Sequence, residues 1–113
     1  MGGSKIHFYK YVVRNDTRTQ SYSEIILTEL PDRSLFIRLA DRIVSEYKAS
    51  IIEKLNGLDS VYWDFLVESV IITLHQQTFI GITIFPRDLE KSTAEANRLA
   101  EKIAAMLKKS GLL

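Results

Sequence analysis

Asp64 and His75 are the residues of this 113-residue chain whose types and spacing could do chemistry. Both lie in the stretch 61–85, VYWDFLVESVIITLHQQTFIGITIF. A chain reversal at Glu68-Ser69 sets them diagonally on neighbouring strands, where a carboxylate could orient an imidazole as a general base. Gly81 would leave a notch beside the pair. Neither a nucleophile nor oxyanion donors accompany them, so an enzyme built on Asp64 and His75 ranks third among the functional readings. His7 is the only other histidine, and no carboxylates stand near either at metal-ligand spacing. With no cysteine in the chain, composition argues against a metal site, a disulfide framework and thiolate catalysis together. No cofactor motif stands out.

The elements that must hold these residues are sized by the whole chain. At this length, with 46% hydrophobic and 26% charged residues, the expectation is a single folded domain over residues 1–113, with Met1-Gly2-Gly3-Ser4 a floppy or tag-like start. The formal net charge is +1, and it is evenly spread: nine basic against eight acidic residues in 1–60, six against six in 61–113. That balance argues against nucleic acid as a partner, which needs concentrated positive charge. No stretch approaches the roughly 20 apolar residues of a membrane span. The start lacks a signal-peptide core, and Ile6 stands where a myristoylation pattern wants Ser or Thr. A reducing cytoplasm is the compatible location.

Lys5 to Arg14 has strand composition, and so does Tyr22 to Leu30, where Ile25 and Leu27 alternate with Glu24, Ile26 and Thr28. Asn15 to Ser21 reads as the loop between them. Pro31-Asp32-Arg33-Ser34 breaks the second strand and offers Asp32 or Ser34 as a helix cap. Phe36, Leu39, Ala40, Ile43, Tyr47, Ile51 and Leu55 recur at steps of three and four, predicting one long helix that Asn56-Gly57 ends. Val61, Trp63, Phe65 and Val67 then alternate, and the apolar parity switches to Val70, Ile72 and Leu74. A two-residue turn pairs Val67 with Val70, Phe65 with Ile72 and Trp63 with Leu74. Glu68-Ser69 is poor chemistry for such a turn, which leaves one long bulged strand as the alternative. A second reversal centred on Gln77 pairs Leu74 with Ile80, Ile72 with Ile82 and Val70 with Ile84. Pro86 ends that strand, and Arg87 to Lys91 connects. Ser92-Thr93-Ala94-Glu95 is a capping box for a last helix with Ala96, Leu99, Ala100, Ile103, Met106 and Leu107 on one face.

The order β-β-α-β-β-β-α predicts an α+β domain, a five-stranded antiparallel sheet packed with two helices. This order over residues 5–110 is similar to that of the profilin-like group, which includes longin and PAS-type domains. The resemblance implies a first hairpin beside the last strand, with spatial order 2-1-5-4-3, and carries no implication for activity.

In that register the outward face of the meander has three rows: Tyr62, His75 and Phe79; Asp64, Thr73 and Gly81; Leu66, Ile71 and Thr83. With the first strand beside the last, Tyr9, Tyr11, Tyr62, Leu66, Ile71, His75, Phe79 and Phe85 form an outward surface too apolar for water on a monomer. The leading reading is therefore a small non-catalytic protein-interaction module, binding another protein or a second copy of itself through this face. An adaptor, a regulatory subunit and a toxin-neutralising immunity protein all fit. The same tyrosines with His7, Lys5 and Lys10 could stack bases, but packing with their hydroxyls in water is the simpler account. Covering of the face by the C-terminal helix is the alternative to an interface. The second functional reading is a small-ligand sensor with a pocket between the long helix and the sheet, near Tyr47 and Trp63.

Overall fold

The computed structural model describes residues 5–12, 19–87 and 94–113, with only the backbone described for 5–12 and 19–23. The elements run β1 (Lys5–Val12), β2 (Thr19–Thr28), α1 (Arg33–Tyr47), β3 (Ser50–Asn56), β4 (Ser60–Val67), β5 (Val70–Gln77), β6 (Gly81–Pro86) and α2 (Ala94–Lys109). The class is α+β as expected, one antiparallel sheet with two helices, and the sheet has six strands in the order β1-β2-β6-β5-β4-β3. The expected loop at Asn15 to Ser21 and connector at Arg87 to Lys91 fall largely outside the described residues. So do Ser92 and Thr93 of the capping box.

The sixth strand comes from the C-terminal end of the expected long helix. Asp32 caps α1, its Oδ1 accepting from the amides of Ser34 (2.9 Å) and Leu35 (3.2 Å). Lys48 closes it in the left-handed conformation (φ 50°, ψ 40°), with its amide bonded to Val44 O. Beyond that point the apolar residues of SIIEKLN extend the helical stripe and hold no strict period of two, and pairing with β4, with a register shift between Ile51 and Glu53, makes the segment a strand. Asn56-Gly57 is thus the β3–β4 turn and not a helix stop, with Gly57 N donating to Ser60 O at 2.8 Å.

The first hairpin joins the sheet through β2, not β1. Ile25 lies opposite Ile84 and Thr28 opposite Ile82, which leaves β1 at the edge. Sequence places Ile25 and Leu27 on one face, and both are buried with α2 in the core, so β2 must lie beneath that helix. Gly81 adds a close approach. It has φ 112°, and a Cβ there would run into Thr28 O and the Glu29 backbone. Gly81 is therefore packed against the end of β2 and opens no notch.

The β4–β5 hairpin has the expected register, with Val67 opposite Val70, Phe65 opposite Ile72 and Trp63 opposite Leu74. Glu68 (φ 49°) and Ser69 (φ 72°) both take positive φ, as a hairpin turn of this length requires, in spite of their side chains. The next reversal comes later than expected: Gln77 faces Gly81, and Thr78-Phe79-Ile80 make the connection. Leu74 then pairs with Ile84, Ile72 with Pro86 and Gln76 with Ile82. The shift is even, so the inward residues stay inward. Ile80, expected in the core, is 40% exposed in the loop, and Gln76 takes an inward position. Gln76 is satisfied there, accepting from Arg33 Nε (3.1 Å) and donating to Pro31 O (3.1 Å), and so ties the start of α1 to the sheet.

Both helices pack on one side of the sheet. Phe36, Leu39 and Ile43 of α1 and Ile103 and Leu107 of α2 share a fully buried cluster with Phe65, Ile72, Leu74, Ile82 and Ile84. Trp63 at its margin meets Phe36 edge-on at 5.1 Å and donates from Nε1 to Asn56 Oδ1 at 2.9 Å. α2 therefore covers the inner face, and the opposite face carries no described helix.

Candidate functional site

The observed register rewrites the rows of the outer face. Leu55, Tyr62, His75 and Thr83 form one, and Glu53, Asp64, Thr73 and Phe85 the next. Tyr62 lies opposite His75 as expected, but Thr83 takes the place assigned to Phe79, and Phe85 the place assigned to Gly81. Phe79 sits in the β5–β6 connection, 90% exposed, at the end of the sheet and off its face.

Asp64 and His75 do not form the expected dyad. The Asp64 carboxylate accepts from Thr73 Oγ1 at 2.6 Å and pairs with Arg87 Nη1 at 3.5 Å. Arg87 also reaches Glu53, with Nη2 3.9 Å from Oε1. Its backbone amide is fixed to Ile71 O (2.9 Å), which holds the residue beside β5 after Pro86 ends β6. His75 stacks under Tyr62, with ring centroids 4.0 Å apart and planes 7° from parallel, and meets the edge of Phe85 at 6.2 Å. Burial lowers its pKa below the ordinary 6.5, which leaves the imidazole neutral near pH 7. His75 Nε2 is buried and, among the described side chains, has no hydrogen-bond partner. An imidazole in this state lacks the orienting carboxylate and the open approach that a general base needs.

Between the second row and the flanking Leu55 and Tyr62 lies an open cleft of about 310 Å³, lined also by Glu53, Asp64, Thr73, Phe85 and Arg87. Its polar end is carboxylate-rich and its walls are aromatic and aliphatic. Of the expected contact residues, Tyr62 and Phe85 line it, and Leu66 and Ile71 lie in the next row of the same face. Leu66 is 42% and Tyr62 38% exposed, while Ile71 and Phe85 are half-buried. The side chains of Tyr9 and Tyr11 lie outside the described residues. Arg87, Glu53 and Leu55 were not singled out from sequence. Glu53 and Leu55 reach the outer face because the register shifts between Ile51 and Glu53, which no side-chain period in SIIEKLN announces.

The pocket expected near Tyr47 and Trp63 has a different form. Tyr47 lines a groove of about 470 Å³ between the helices with Arg42, Glu46, Lys102 and Met106, while Trp63 is packed against Phe36. Burial, then the charges of Glu68 and Glu46, raise the pKa of the Tyr47 phenol. Among the described residues, no group of three His, Asp or Glu side chains could hold a metal ion, and no helix is long and apolar enough to cross a membrane. In comparison with known proteins, the chain matches no family model, no curated protein and no solved structure.

Proposed function

We propose that this protein is a non-catalytic protein-interaction module whose contact surface is the outer face of the sheet. One observation carries the reading: both helices pack on the same side, leaving Leu55, Tyr62, Leu66 and Ile71 on a face that no described helix covers. Large apolar and aromatic side chains around a few buried polar groups are the composition of an interface core with its anchors. The engagement of Asp64 by Thr73 and Arg87 counts against catalysis at this face.

The test is a photo-crosslinking residue placed at Leu66 on the outer face and, separately, at Arg38 on α1, in living cells. A discrete adduct from position 66 and none from position 38 is the expected result. An adduct of twice the chain mass identifies a second copy, and any other mass a different protein. Absence of an adduct at 66, or equal adducts at both positions, overturns the proposal.

A further inference from the structure

Among the described residues, the charges around the cleft do not balance. One guanidinium, Arg87, serves two carboxylates at 3.5 and 3.9 Å, both longer than the roughly 3.2 Å limit of a good N–H···O bond. An ionised carboxylate has about four acceptor positions, and Asp64 gives one to Thr73. Acceptor capacity for a second cation therefore remains. Glu24, which accepts from Thr83 Oγ1 at 3.2 Å, adds a further negative charge on the same face. An anionic ligand would meet repulsion here. A compact ammonium would find the charge but would make little use of Tyr62 and Phe85.

We infer that the cleft takes an arginine side chain from the protein partner. A guanidinium is planar, pairs with two carboxylate oxygens at once and stacks on an aromatic face, and this cleft offers Glu53 and Asp64 at one end and Tyr62 at the side. Arg87 is the resident competitor. Its side chain is 46% exposed and its pairs are long, so it can swing into water as an incoming guanidinium takes its place beside the nearly buried Asp64. The inference rests on the reading of the outer face as the contact surface and adds the chemistry of what is contacted: a basic protein segment presenting arginine.

The experiment is an amide chemical-shift titration of the whole chain with acetyl-arginine methylamide, using acetyl-citrulline methylamide as the uncharged isostere. Saturable shifts at Glu53, Leu55 and Tyr62 are expected, at a dissociation constant of millimolar order for so small a probe, with citrulline about tenfold weaker. Glu53→Gln, at a half-exposed edge position, weakens the arginine response several-fold. Arg87→Ala strengthens it, because the competitor is gone. A response without saturation, an equal response to citrulline, or indifference to Glu53→Gln overturns the inference. A crosslink at position 66 with a flat arginine titration defeats this inference alone. Saturable arginine binding without that crosslink defeats only the broader contact reading.

Discussion

The two faces of the central strands each hold a set of dry residues, and the two sets are chemically opposite. Phe65, Ile72, Leu74 and Ile84 on the inner face are 0% exposed, and Asp64, Thr73, His75 and Thr83 on the outer face are 6%, 2%, 6% and 1% exposed. On the inner face a second layer excludes water, namely the helices. On the outer face the neighbours within the sheet contribute: Tyr62 stacks on His75, Arg87 reaches Asp64, and Glu24 bonds Thr83. Low exposure therefore does not identify a core. An inner residue is held by dispersion and transfer from water, which fall with lost volume. An outer one is held by partners, and is sensitive to the loss of a single atom.

Phe65→Ala should separate the two regimes most widely. It removes a fully buried ring and is expected to cost about 3–5 kcal/mol in urea or thermal unfolding; a loss under about 1 kcal/mol would mean that the helices do not close over this face. Thr73→Val keeps the volume and deletes the donor to Asp64, for an expected loss of about 1–2 kcal/mol. No loss would show that solvent serves Asp64 equally well. The smallest effect is a pH slope. His75 is held neutral in the fold, so its contribution is complete above the unfolded imidazole value of about 6.5 and declines as pH falls below it, because the unfolded chain then gains a proton that the folded chain resists. Urea midpoints measured across that window should slope in the wild type and flatten in His75→Phe; identical slopes would place another group in control.

The legible parts of the fold were those that a side-chain period alone determines. The parity switch between Val67 and Val70 gave the β4–β5 register, and Ile25 with Leu27 marked the inner face of β2. Ser50–Asn56 was illegible because its apolar residues extend the helical stripe while the shift between Ile51 and Glu53 breaks strand alternation, and the choice is made by β4 across the sheet. The β5–β6 reversal was misplaced by its turn. Gly81 supplies the positive φ, whereas the sequence had suggested Gln77 as the centre. The candidate site depends on both features at once, since Glu53 enters with β3 and Phe85 stands beside Thr73 only in the observed register.

β3 lies at an end of the sheet, paired on one side by β4. Such a strand offers its free backbone groups to any other chain, including its own copy. Full-length antiparallel pairing of Ser50–Asn56 with a second copy would set Glu53 against Glu53, and the next register that keeps both faces aligned would set Lys54 against Lys54. The register shift between Ile51 and Glu53 further spoils the flat edge such pairing needs. The charges at the middle of β3 thus act against sheet-to-sheet polymerisation.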